Sequence, residues 1–204
     1  MHDQASDFAG QDNVYAPPLA RVGELASRSH GALEFYVVAP RKFLLLYFFT
    51  LGLYQYFWLY QHWARYRSWH QESLWPVPRA IFSIFFMHSL NGKIDAALSR
   101  SGFLHRWSPA ACATGYVVFQ IISSIFDRLS ARSIGSPLSD IISLALLIPI
   151  GGLLFATQKA ANVACGDSAG GGNAHLGLAN YAWIILGALL WALALFGLTL
   201  PDGA

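Results

Sequence analysis

Long apolar runs alternate with short polar stretches along the chain, and the length of each run sets what it can become. Phe43 to Tyr60, opened by Arg41-Lys42, carries no ionisable group except tyrosine, and its helix is predicted to continue through Trp63. That approaches the roughly 20 residues a helix needs to cross a hydrocarbon core. Ala110 to Phe126 has no charge and follows Ser108-Pro109, a capping serine with proline at the first helical position. Ser136-Pro137 is predicted to repeat that start before Leu138 to Ala156, where Asp140 is the one ionisable residue. Pro149-Ile150-Gly151-Gly152 predicts a break or kink in this helix. Leu178 to Leu200 is free of charge and stops at Pro201. Ala80 to Leu90, between Trp75-Pro76-Val77-Pro78-Arg79 and Asn91-Gly92-Lys93, is too short to span at about 1.5 Å per residue.

The fold class expected is therefore all-α: a polytopic membrane protein with about four transmembrane helices, near 43–63, 109–127, 137–158 and 178–200. A partial helix near 78–98 is expected to be re-entrant or interfacial. Residues 1–34 read as a polar, largely flexible tail, in which Leu19, Val22, Leu25 and Ala26 have the spacing of one short amphipathic helix. Leu33 to Ala39 is β-branched and aromatic, but an isolated strand has no partner for its backbone, so it is expected as an extended segment at the membrane surface. Cys165 to Gly177 reads as a flexible Gly-rich loop.

Composition agrees: 55% of residues are apolar, 12% are charged, 15% are aromatic, and mean hydropathy is +0.41. A disordered chain, a coiled coil and a basic nucleic-acid-binding domain are excluded as classes. The net charge of +2 singles out no partner, and two cysteines cannot form a disulfide framework. Lys and Arg divide almost evenly between the two sides of four spans, so they do not orient the chain. A polar tail without an export signal favours an N-terminus inside.

Aromatic density peaks between Phe43 and Trp75. Tyr56, Tyr60 and Trp63 recur at helical spacing, with Arg67 one turn on, and make a candidate lipid or partner surface at headgroup level. Thr50-Leu51-Gly52-Leu53-Tyr54-Gln55-Tyr56-Phe57-Trp58 and Trp75-Pro76-Val77-Pro78-Arg79 resemble a bacterial membrane-protein family of unknown function, over about Phe35 to Leu90. The resemblance implies a small multi-helix inner-membrane protein and carries over no catalytic residue.

Gly166-Asp167-Ser168-Ala169-Gly170 matches the esterase nucleophile pattern, but no strand precedes it and an apolar helix follows, so it reads as a loop. The same loop lacks the Lys-Ser/Thr pair of a phosphate cradle. His62, His70, His88 and His105 have no ligand at metal spacing. Gln120, Asp140 and Pro149 form a candidate polar pathway, and Gln120, Ser123 and Ser124 are the expected interhelical hydrogen-bonding groups. Asp127 and Arg128 close the second long charge-free run.

These readings lead to a small non-enzymatic inner-membrane protein that binds lipid or a membrane partner. The alternative is a transporter- or channel-like protein using the break at Pro149-Gly152. No cofactor and no nucleic acid is expected. The expected partners are the bilayer and a membrane protein, including a second copy of the chain.

Overall fold

The computed structural model describes residues 33–197; the amphipathic helix expected in the tail and the last residues of the final span lie outside them. The described residues form seven α-helices and no strand: α1 (Pro40–Phe49), α2 (Tyr54–His70), α3 (Pro76–Ile81), α4 (Ser83–Ser101), α5 (Pro109–Ser130), α6 (Leu138–Ala164) and α7 (Leu178–Gly197). Three of them, α5, α6 and α7, are long and apolar enough to cross a membrane.

The run from Phe43 to Trp63 is not one span. Leu51 and Gly52 both have positive φ, 49° and 83°, and the chain reverses there. Along one continuous helix Phe43 and Trp58 would stand about 22 Å apart; their ring centroids are 5.5 Å apart. Thus α1 and α2 form a helical hairpin. Thr50 joins its two arms: its hydroxyl donates to Leu46 O at 2.8 Å and accepts from Tyr54 N at 2.9 Å. At 10 residues, α1 is about 15 Å long, half a bilayer. The hairpin tip meets the middle of α6, where a Cβ on Gly52 would lie 3.2 Å from Leu147.

Glycines set how closely the helices approach. A Cβ on Gly151 of α6 would lie 2.6 Å from the Tyr47 ring, and one on Gly187 of α7 would collide with the Phe49 carbonyl. Trp191 of α7 donates to Phe48 O at 2.9 Å, a carbonyl at the end of α1 that also accepts from Leu51 N at 3.2 Å. Thus α1 is wedged between α6 and α7. The expected break at Pro149-Gly152 is absent: α6 is helical from Leu138 to Ala164 with Pro149 inside it. Its glycine serves close packing instead.

Ser108 caps α5 as expected, accepting from Ala111 N at 3.4 Å with Pro109 at the first position. Ser136 does not cap α6; its hydroxyl donates to the Asp140 carboxylate at 2.7 Å, and the Ser130 hydroxyl donates to the other oxygen of that carboxylate. The partial helix is longer than its apolar core implied. It bends at Phe82 and then runs as α4 through Asn91-Gly92, because Asn91 lies inside the fold and donates to Pro109 O at 3.0 Å.

The extended segment is buried inside the protein. Phe35 and Val38 are fully buried, and side-chain amides replace the missing strand. Asn162 accepts from Val38 N at 3.3 Å and donates to Val38 O at 3.0 Å. Gln158 donates to Tyr36 O at 2.9 Å, and Asn173 donates to Val37 O at 3.1 Å. The Gly-rich loop is docked on the same segment: Gly170, at φ 66°, lies so close to Val38 O that no Cβ would fit. Asp167 closes this loop by accepting from the amides of Gly171 and Gly172, both at 2.9 Å. The Gly172 amide, ahead of those of Gly171 and Gly170, holds its carboxyl below the usual carboxylate range.

Two pairs of substitutions test this packing. Gly151→Val should destabilise the protein by about 1–3 kcal/mol through overpacking against Tyr47. Gly152→Ala, where nothing lies within 4 Å, should be neutral or gain up to about 1 kcal/mol. Asn162→Ala should cost about 2–4 kcal/mol, because it strands a buried amide and a buried carbonyl of Val38; Asn180→Ala, outside the segment, should cost much less. Thermal unfolding in detergent reads all four.

A polar cavity beneath the helical hairpin

The polar side chains of the three-helix contact between α2, α5 and α6 converge below the hairpin tip. Tyr116 of α5 shares a 2.8 Å hydrogen bond with Ser83 and donates to Gln55 Oε1 at 3.3 Å. Gln120, one turn on, donates to the same Gln55 oxygen at 3.3 Å and to Tyr116 Oη at 3.2 Å. Gln55 is buried although it starts a helix of mixed polarity. Gln55 and Gln120 of this network line a cavity of about 340 Å³. Tyr47, Tyr56, Ser123 and Ser124 also line it, and Asp127 and Ser143 stand nearest the α5–α6 turn, hydrogen-bonded to each other. Among the described residues no Lys, Arg or His side chain lines it. The Tyr47 hydroxyl, on a fully buried residue, has no hydrogen-bond partner.

A second polar cluster lies deeper in the hairpin. Gln158 Oε1 accepts from Trp58 Nε1, which can only donate, and from His62 at 3.3 Å. Its amide nitrogen donates to Tyr36 O and, at 2.6 Å, to Asn162 Oδ1. The amide orientation is thus determined on both sides, and His62 must donate through Nε2. Its Nδ1 is buried without a partner. Every hydrogen-bonding capacity of Gln158 is occupied, so this cluster holds the fold and leaves no room for a ligand.

The structure separates the expected aromatic surface. Tyr56 and Tyr60 are exposed, as is Arg67, but Trp63 is fully buried, 4.6 Å from the Arg79 guanidinium across its ring. Trp63 therefore cannot belong to a lipid or partner surface. Tyr56 lines the cavity, whereas Tyr60 and Arg67 line a separate groove. Of the expected polar pathway, Gln120 lines the cavity; Asp140 is held by Ser130 and Ser136, and neither it nor Pro149 is among the lining residues. Ser168 is exposed, without a hydrogen bond to His175, and its neighbour Asp167 is committed to the loop amides. Among the described residues no three His, Cys, Asp or Glu side chains come together as a metal site.

Sequence reading missed Tyr47, Gln55 and Ser143 as cavity residues. The signal for Gln55 was present: an amide inside a run of aromatic and aliphatic side chains next to Leu51-Gly52. Tyr47 carried none, since a tyrosine in an apolar run reads as core. Comparison with known protein families, curated proteins and solved structures finds no match to the chain.

The Tyr47 hydroxyl loses its solvation on folding and gains no protein hydrogen bond in return. Tyr47→Phe should leave the melting temperature equal to or above that of the unsubstituted protein. Gln55→Leu, which strips the Tyr116 and Gln120 donors of their acceptor, should lower stability by about 1–3 kcal/mol. Equal losses in both variants would mean that Tyr47 has a structural partner.

Proposed function

We propose that the protein is a non-enzymatic, transporter- or channel-like protein that admits a small solute, uncharged or cationic, into the cavity beneath the hairpin. The observation that carries this reading is the cavity itself: amide and hydroxyl groups lining a space between two helices long and apolar enough to cross a membrane. Polar groups at that depth are costly unless they face one another or a hydrated space, and interrupted helices supply such sites in transporters. Here the interruption is the reversal at Leu51-Gly52, not Pro149. Among the described residues Asp127 is the one carboxylate of the lining and no basic side chain joins it there, which favours cations over anions.

The location this reading takes is the inner membrane of a bacterium, with the N-terminal tail inside. In it α5, α6 and α7 span, and α1–α2 enters and leaves on one side. The expectation of a lipid- or partner-binding aromatic face loses support with Trp63 buried.

Cysteine accessibility tests the cavity. In a Cys112→Ala/Cys165→Ala background in proteoliposomes, Ser124→Cys should react with a cationic methanethiosulfonate about tenfold faster than with an anionic one. Ile121→Cys, on the same helix but outside the lining, should react with neither. Asp127→Asn should abolish the charge preference while preserving reaction at position 124. A Ser124→Cys protein as inert as Ile121→Cys would overturn the reading.

A further inference from the structure

A second recess lies outside the cavity and uses different residues. It is a groove of about 570 Å³ between α2 and the loop into α3, lined by Tyr60, Arg67, Ser68, Glu72, Ser73 and Pro76 among others. The cations around it differ in one respect. On α2, α3 and α4, Arg65 sits 5.1 Å from the Tyr36 ring, Arg79 stacks on Trp63, Lys93 lies 4.1 Å from the Tyr66 ring, and Arg100 pairs with Glu34 at 2.7 Å. Arg67, by contrast, has no hydrogen bond, ion pair or ring contact within the described residues, and it lines the groove.

We propose that this groove holds the phosphodiester headgroup of a bilayer lipid, with the Arg67 guanidinium as its charged donor. Arginine offers a planar pair of donors that matches two phosphate oxygens, and the hydroxyls of Ser68 and Ser73 stand in the same lining. Glu72, the acidic member, does not cancel this charge. Its carboxylate accepts from Tyr66 Oη at 3.1 Å and lies 3.7 Å from Lys93 Nζ, which balances it. The wall is preorganised: Gln71 adopts φ 53° to end α2, and its side chain donates back to Ser68 O at 2.6 Å.

The surroundings suit a lipid better than a soluble anion. Trp75, next to the lining residue Pro76, is 77% exposed, and Trp69 is 47% exposed. Such rings favour the headgroup layer. Val77 and Ile81 of α3, both more than half exposed, offer apolar surface for acyl chains next to Pro76. Charge, hydroxyl donors, interfacial tryptophans and aliphatic surface therefore meet at one place.

The test uses the full chain in dodecyl maltoside, titrated with phosphatidylglycerol and read by native mass spectrometry. One lipid should be retained per chain. Arg67→Ala should weaken that binding about tenfold, the loss of one charge-assisted contact, and Arg67→Lys should fall between. Arg106→Ala, an exposed arginine outside the groove, should bind as the unsubstituted protein does. Inorganic phosphate should neither bind nor displace the lipid. Unchanged binding in Arg67→Ala, an equal loss in Arg106→Ala, or displacement by inorganic phosphate would each overturn the proposal. Melting temperature of Arg67→Ala, expected unchanged for an exposed side chain, shows that the fold is intact. Because Arg67 does not line the cavity, labelling at position 124 should be unaffected, so the two sites fail or stand separately.

Discussion

An extended chain inside a helical protein must find donors and acceptors for its backbone, and here three side-chain amides supply them. Gln158, Asn162 and Asn173 do for residues 36–38 what a neighbouring strand does in a sheet. Asn162 uses both ends of its amide on Val38, as a paired strand residue would. Unlike a strand, this partner is specific to position, because each amide serves one residue. The segment therefore has one register, and that register fixes where α1 begins. Lys42 adds to it by donating to Asn173 Oδ1 and His175 O, both at 2.7 Å, which ties the first turn of α1 to the loop after α6.

With α1 started at a fixed place and only 10 residues long, its end must fall at mid-height on α6. Gly151 makes room for the Tyr47 ring against α6, Gly187 lets the backbone of α1 approach α7, and the turn at Leu51-Gly52 follows. The chain then returns as α2, whose Trp58 and His62 reach the same Gln158 that holds Tyr36. The space that a full span would have filled below the turn is left to polar side chains of α2, α5 and α6. The cavity is thus a consequence of a short first helix, and its polarity follows from Gln55 and Gln120 meeting there.

Those parts of the structure that depend on neighbours in sequence could be read directly. Ser108-Pro109 caps α5, and the three longest charge-free runs after residue 100 are the three apolar helices. The hairpin could not be read in the same way. Phe43 to Trp63 has the length and composition of a span, and what divides it is a left-handed Leu51-Gly52 pair whose glycine looks ordinary in a membrane helix. Trp63 was misjudged because helical spacing with Tyr56 and Tyr60 says that residues share a stripe, not that the stripe is free; α3 and α4 cover one end of it. The amide pair Gln158 and Asn162, four apart in an apolar helix, was a visible signal, but its partners at residues 36 and 38 are over a hundred positions away.

That separation bears on how the protein is made. The contacts that seat α1 come almost entirely from the C-terminal half: Asn162 for Val38, Gly151 for Tyr47, Trp191 for Phe48. A ribosome delivers α1 and α2 long before any of these exists. Asn162 and Gly151 arrive with α6, but the second wall of the groove, Gly187 and Trp191, arrives only with α7. The seat of α1 is therefore complete only when the last helix has been made. The order of contacts opposes the order of synthesis, and a chain truncated before Gly187 would keep the α6 side of the seat and lose the α7 side.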